Sequence, residues 1–450
     1  MRTHFILRVL TILLLSTVTG LYVSSVSGVP AAVLVPMFMA GSFLPVPANV
    51  LAAGVSVVKV VSSLGGSAPA TDGITLLLYP CGGSGYASLS AVLYNLADAE
   101  GKGITQANDL THTTGLWRQI KDFYRTAPKG TKLYIRGYDD TIANELEQDS
   151  TRCNSLHDYL YSKNGDVKLL CIMAKTTGSG ITPVAETVIT QLLQRLQAFA
   201  DAELASKRPI DILLEGTGFI LSTGEYYNLR GKGNAGNVSV IIGQEKEIHD
   251  IAYLTNYAAV GLFAGSVAAS HVGRNAGRTK SGALPIVESV FAEGAYYGET
   301  QINNLNTSGY IFFEQYMGVA GWFWNDDHTC TTAGMSNSQL SLNRVWNKAA
   351  RITLATYVNE LKDEIETDAV TGKLSPLVVA TLENSLSNAI KNEMVSNPDP
   401  TRSKECVAVT VKIDPAQNIL ATSKIVAQVS IVPLGVVREI VGNIALDNPA

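Results

Sequence analysis

Between residues 73 and 242 the chain repeats one pattern: a short continuous apolar run, then a segment with three-or-four apolar spacing, then another apolar run. The runs at 73–79, 132–136, 167–173, 210–214 and 238–242 show no polar alternation, the mark of strands buried on both faces. Helix-like segments lie near 87–99, 116–124 and 154–161. Another opens at Thr182-Pro183 with a stripe of Val184, Val188, Leu192, Leu196 and Phe199. Strands joined through helices run parallel, and a parallel sheet needs helices on both faces. The expectation is an α/β core over residues 73–308, mainly a parallel sheet covered on both sides.

The segment 251–272 is helix-like and rich in small residues, including Gly261 and Gly265. Asp250 and Arg274 stand at its ends, so it reads as a tightly packed helix of a soluble core rather than a membrane span. From Gly309 the pattern changes. Aromatic, β-forming stretches at 309–316 and 321–324 stop at Asn325-Asp-Asp327 and read as strands closing a sheet. Leu342, Trp346, Ala349, Thr353, Tyr357, Leu361 and Ile365 then predict one amphipathic helix of about seven turns. Gly372 breaks it, and Ser375 and Pro376 open a second helix buried through Val379, Leu382, Leu386, Ala389 and Met394. A period of two follows, in Val407, Val409, Val411 and Ile413 and again in Ile425, Ala427, Val429 and Ile431, with a third strand at 436–446. This predicts a C-terminal α+β domain, 309–435, made of a helical hairpin and antiparallel strands.

The segments Gly309-Tyr-Ile-Phe-Phe, Trp324-Asn-Asp-Asp327, Leu342-Asn-Arg-Val345, Thr371-Gly-Lys-Leu-Ser-Pro376 and Ile413-Asp-Pro-Ala-Gln-Asn418 resemble the C-terminal half of contractile tail sheath proteins of phages, phage-like bacteriocins and injection systems. The resemblance continues upstream through Gly273-Arg-Asn-Ala-Gly-Arg278, Arg208-Pro-Ile-Asp-Ile-Leu-Leu-Glu-Gly216 and Gly54-Val-Ser-Val-Val-Lys59. It implies a structural subunit with no enzymatic activity and no cofactor. Such a subunit forms a helical homo-oligomer of stacked rings around an inner tube protein, with baseplate and tail terminator proteins at the ends, and contracts to drive the tube through an envelope. It also implies exchangeable arms that add strands to a neighbour's sheet edge. The N-terminal arm and linker are 54–72, with Val55, Val57 and Val60. The C-terminal arm is 436–450, with Val437, Ile440 and Ile444. The receiving strands carry Val407, Val409, Val411, Ile425 and Val429, and Lys391 and Glu393 are candidate tube contacts.

Thirty-four basic against thirty-nine acidic residues give a net charge of −5, with no basic run for a nucleic-acid partner. Cys81, Cys153, Cys171, Cys330 and Cys406 are widely spaced and read as reduced thiols. Residues 1–53 stand apart. Arg2 and Arg8 precede an apolar run at 9–18, and Ser25-Val-Ser27 resembles a cleavage site, the layout of a secretory signal. Prolines 30, 36, 45 and 47 prevent the rest of that apolar region from forming one membrane helix. Sheath subunits begin near the equivalent of Gly54 and assemble in the bacterial cytoplasm, with no membrane in the mature sheath. A misassigned upstream start is therefore the favoured explanation, beside a membrane-directing extension and an extra arm. A genuine signal would instead favour an exported α/β hydrolase using Ser84, or an exported surface-lattice protein.

Candidate chemistry is sparse. Cys81-Gly-Gly-Ser-Gly85 is not G-x-S-x-G, because Tyr86 takes the last position, and it reads as a tight strand-to-helix turn. Gly231-Lys-Gly-Asn-Ala-Gly236 lacks the G-K-[ST] of a phosphate loop and reads as a surface loop. Asp326, Asp327, His328 and Cys330 are ligand types crowded into one loop and read as a turn rather than a metal site. Arg274, Arg278 and Lys280 read as a cap on the dipole of the preceding helix.

Overall fold

The computed structural model describes residues 70–81, 85–138, 146, 156–173, 186–217, 219, 227–291, 298–396 and 404–438, all within one unit, Gly54–Ala450. Its centre is a seven-stranded sheet. In chain order the strands are β1 (Thr75–Pro80), β2 (Ser90–Leu93), β3 (Leu133–Tyr138), β4 (Leu169–Ile172), β5 (Asp211–Glu215), β6 (Val238–Ile241) and, after two short strands β7 (Gly243–Glu245) and β8 (Ser289–Phe291), β9 (Tyr310–Ile311). The spatial order is β2-β3-β1-β4-β5-β6-β9, parallel throughout except for β2 at one edge.

The helices of this part are α1 (Leu96–Glu100), α2 (Gln106–His112), α3 (Leu116–Thr126), α4 (Leu156–Ser162), α5 (Glu186–Ala205), α6 (Val260–Ala269) and α7 (Glu299–Ser308). Successive strand residues point to opposite faces, and both faces are apolar. Leu76, Leu78, Leu170, Ile172, Ile212 and Val240 pack with Leu156 and Leu160 of α4 and Leu193, Leu196 and Phe199 of α5. Leu77, Tyr79, Ile135, Cys171 and Leu213 pack with Ile120 and Phe123 of α3 and Phe263 and Val267 of α6.

Two expected elements differ. The segment expected as a helix at 87–99 instead holds the edge strand β2, followed by the short α1. Tyr79 Oη accepts the Leu89 amide at 3.0 Å and donates to the Ala87 carbonyl at 2.9 Å, holding the approach to β2 extended, and Asn95 then caps α1 through the Asp98 amide. The helix expected from Ile251 begins only at Val260. Side chains of other elements set its start: Gln119 Oε1 accepts the Gly261 amide at 2.6 Å, and Glu215 Oε1 accepts that of Ala258 at 3.1 Å. Gly261 and Gly265 let α6 press against α3, since an added Cβ would lie 2.2 Å from the Gln119 carbonyl oxygen and 2.3 Å from that of Phe123. Among the described residues no helix is long and apolar enough to cross a membrane.

The C-terminal part begins after a small hairpin of β10 (Phe313–Glu314) and β11 (Phe323–Trp324). It holds α8 (Leu340–Tyr357), α9 (Pro376–Ile390), and the antiparallel pair β12 (Cys406–Ile413) and β13 (Ala427–Pro433). The first helix ends after five turns rather than seven. Leu361 and Ile365 lie in the connection, where Lys362 takes a left-handed φ of 68° that no helix continues.

α8 is buried nearly all round. Beside Val345 and Ala349, its buried residues include Asn343, Arg344, Asn347 and Lys348, which a simple amphipathic reading sends to solvent. They carry polar contacts to the rest of the fold. Asn343 donates to the Gly236 carbonyl, Asn347 to Asp211 Oδ2 at 2.8 Å, and Arg344 to the Ser270 carbonyl at 3.2 Å. Arg344 thus seats a guanidinium at the C-terminal end of α6.

Candidate assembly interface and its ionic supports

β12 and β13 form a two-stranded sheet in register from Ala408↔Val432 to Ile413↔Ala427. Its inner face packs on α8 and α9: Val409 and Val411 meet Ala349, Leu386, Ile390 and Met394, with Val429 and Ile431 beside them. Ile425 precedes β13 and joins Ile413, Leu382 and Val379 in an adjoining cluster. Val407, expected on the same face as Val409, is 55% exposed instead. A register shift between Cys406 and Ala408 inserts the extra residue that turns it outward.

Among the described residues neither outer edge of this ribbon pairs with another strand. An open edge presents unpaired N–H and C=O groups, and folded proteins usually guard it with charge, proline or cover. β13 reads Ala-Gln-Val-Ser-Ile-Val-Pro, without a charge and with proline only at its end. Val432 within it and Leu434 just after it are exposed, and Val437 further on is 73% exposed. Val55, Val57, Val60, Ile440 and Ile444 lie outside the described residues.

On α9 the solvent side carries Leu377, Ala380, Thr381, Asn384, Ser385 and Asn388, with no charge before Lys391. Periodicity marks this helix only by its buried stripe. Lys391 and Glu393 lie on the turn that continues α9, and both are exposed. The Glu393 carboxylate lies 4.0 Å from Lys348 Nζ of the same chain.

Ion pairs hold the ribbon and the chain ends to α8. Lys348 Nζ donates to Glu405 Oε2 at 2.9 Å, just before β12. Arg351 pairs with Asp72, just before β1. At the start of α8 the loop of Asp326, Asp327 and His328 is buried. Asp327 Oδ2 accepts the Ser341 amide at 2.8 Å in the first turn of α8, and Oδ1 accepts from Asn275 Nδ2 at 3.0 Å. Asp326 accepts from Asn275 and, at 2.7 Å, from Arg438 Nε. Arg230 donates to His328 Nδ1 at 2.8 Å, so the ring's proton sits on Nε2 and is donated to Asn306 Oδ1 at 2.7 Å.

Burial works against the ionised form of Asp326. Attraction to His328 and Arg438, with the hydrogen bonds from Arg438 and the Asp327 amide, nevertheless holds its carboxyl well below the usual range. Burial, and the Asp326 charge beside it, push Asp327 up to about 8. His328 is brought down to about 4, first by burial.

The four ligand-type residues of this loop do not converge. Cys330 lies in the core against the Gly231–Gly236 segment, where a Cβ on Gly233 would sit 2.8 Å from its carbonyl oxygen. That segment is therefore partly packed rather than a surface loop. Among the described residues no group of three or more His, Cys, Asp and Glu is placed to hold a metal ion. Cys171, Cys330 and Cys406 are free thiols and, like Cys81, buried, while Cys153 and Ser84 lie outside the described residues.

A family model described as the DUF2586 N-terminal domain matches residues 53–328, and one described as its C-terminal domain matches 339–450. The chain belongs to the DUF2586 family. The two matches part within the loop before α8, so the family's N-terminal domain holds the seven-stranded sheet, and its C-terminal domain holds α8, α9 and the open ribbon. No curated protein matches this DUF2586 chain. Among solved structures it is similar to a chain of the anti-feeding prophage baseplate, at TM-score 0.55 and 14% identity, covering 88% of this chain and 98% of that one. It is likewise similar to a chain of the anti-feeding prophage helical sheath in the contracted state, at TM-score 0.54 and 14% identity, covering 88% and 99%. At that identity the likeness is one of fold.

Proposed function

We propose that this DUF2586 chain is a sheath subunit of a contractile tail or injection particle. It polymerises helically around an inner tube, ends against baseplate and terminator proteins, and contracts to drive the tube through a target envelope. The observation that carries this proposal is the β12–β13 ribbon: two edges open among the described residues, an uncharged outer strand, and an ion pair from Glu405 tying it to Lys348 of α8. The likeness in fold to the anti-feeding prophage sheath over most of both chains supports it. Arm strands of neighbouring copies, from 54–72 and 436–450, fill the open edges. Their backbone hydrogen bonds persist while the cores rotate as rigid bodies. The work is mechanical and needs no catalytic residue, cofactor, nucleic acid or membrane. The uncharged side of α9, with Lys391 at its end, faces the tube.

Negative-stain microscopy of the concentrated protein tests this. Hollow, cross-striated tubes are expected from the full chain, alone or co-expressed with its tube protein, and soluble monomers from a chain ending at Gly435. Intact tubes from the shortened chain remove the C-terminal arm assignment. Monomers of the full chain even with the tube protein present remove the sheath assignment.

A further inference from the structure

The root of the C-terminal arm is tied down. Arg438 Nε donates to Asp326 Oδ2 at 2.7 Å, one terminal nitrogen lies 3.4 Å from Asp326 Oδ1, and Asp327 Oδ1 is 3.8 Å from the guanidinium. The receiving carboxylates are buried and already oriented, by Asn275 from the loop after α6 and by the Ser341 amide of α8, while the Arg438 side chain keeps 36% exposure. Two nitrogens on one buried carboxylate make a directional, charge-assisted hold that a surface ion pair lacks. The strap from Pro433 to Arg438 spans at most about 18 Å. It returns the end of the ribbon to the N-terminal end of α8. The other arm is treated alike, since Asp72, where that arm meets β1, pairs with Arg351 further along the same helix.

We infer that Asp326 and Asp327 form a guanidinium socket that anchors Arg438 of the same subunit, which narrows the part of the 436–450 arm handed to a neighbour to the residues beyond 438. What the arm then does rests on the sheath proposal; the anchor is a property of the single chain. Load from a rotating neighbour enters through Arg438 into the start of α8, the helix whose buried polar side chains bind the core. The ribbon is spared that load, and the hinge of the arm lies outside the strap.

Trypsin cuts after Arg438 only when the guanidinium leaves Asp326, so the rate at the Arg438–Glu439 bond in the soluble full chain reads the socket. The rate is followed by mass spectrometry and normalised to a peptide of the same sequence. Cleavage is expected to be at least tenfold slower in the folded chain than in the peptide, as for a charge-assisted hydrogen bond. The protection is expected to survive about a hundredfold dilution, because the partner is in the same chain. Asp326→Asn, which keeps the shape and removes the charge, is expected to lose most of it while melting as a folded protein. Should that variant not fold, Arg438→Lys keeps a cleavable bond, loses the two-nitrogen geometry, and is expected to be cut faster against its own peptide. Equal rates in the folded chain and the peptide overturn the anchor, as does protection that vanishes on dilution. Neither result depends on whether tubes form, so failure here and failure of the sheath proposal are told apart.

Discussion

Lys348→Met should be among the most damaging single substitutions in the C-terminal part. Lys348 Nζ and the Glu405 carboxylate are 2.9 Å apart, with side chains 4% and 1% exposed. The ammonium also lies 3.4 Å from the Glu393 carbonyl, and the Glu405 amide donates to the Met394 carbonyl at 2.9 Å. One ion pair thus joins α8, the end of α9 and the start of β12. Burial lowers the Lys348 pKa and the Glu405 charge opposes that. Removing the lysine leaves Glu405 either charged without its cation or protonated. Protonating an ordinary carboxyl at pH 7 costs about 4 kcal/mol, which bounds the loss and agrees with the 3–5 kcal/mol expected of a broken buried pair. In the variant the folded pKa of Glu405 is raised above its unfolded value. That contribution is fully present below about pH 4.3 and lost as pH rises, so the deficit against wild type should shrink from pH 7 to pH 5. The double variant Lys348→Met/Glu405→Leu should return to within about 1 kcal/mol of wild type. Urea unfolding at both pH values gives these numbers, and hydrogen exchange over 388–396 and 404–413 shows where the loss falls. A single-variant cost under about 1 kcal/mol at pH 7, or a deficit that widens toward pH 5, refutes the reasoning.

Gly261→Ala places a methyl 2.2 Å from the Gln119 carbonyl oxygen and 2.8 Å from Gln119 Oε1. It is expected to cost at least about 2 kcal/mol and to lower the melting midpoint, and an unchanged midpoint would show that α6 and α3 are not in this contact. His328 has its folded pKa depressed to about 4, by burial first, with Arg230 and Arg438 pushing the same way and Asp326 opposing. Its contribution is therefore present above about pH 6.5 and lost as pH falls, so wild type should lose about 2–3 kcal/mol more than His328→Gln between pH 7 and 4.5 in urea titrations. Parallel losses in the two proteins would remove His328 as the cause.

The parallel sheet was legible because both of its faces are buried: runs such as Leu76-Leu77-Leu78 have no polar alternation to confuse with anything else. β2 was not, since Leu89, Val92, Leu93 and Leu96 fall at helical spacing by chance, and the Tyr79 hydroxyl that holds the segment extended belongs to another strand. The start of α6 was hidden for the same reason, being set by Gln119 and Glu215 from distant elements. The turned Val407 escaped because one inserted residue inverts a period of two and leaves no mark in composition. The ionic supports lay furthest from view. Arg351 and Asp72 are separated by 279 residues and Arg438 and Asp326 by 112, and nothing in a single sequence says which charges meet. One signal was available. Asn343, Arg344, Asn347 and Lys348 recur at four-residue spacing in a helix already recognised by its apolar positions, and a second stripe so regular is a second face with something to bind. α8 buries both stripes: Asn343, Arg344 and Asn347 reach into the α/β core, Lys348 reaches the start of the ribbon, and Ala349 packs with α9 and the ribbon. A core joined to the ribbon through hydrogen bonds and an ion pair on α8 keeps its register where apolar packing alone would allow slip. On the sheath proposal, that is the property a subunit needs if its arms are pulled while its body turns.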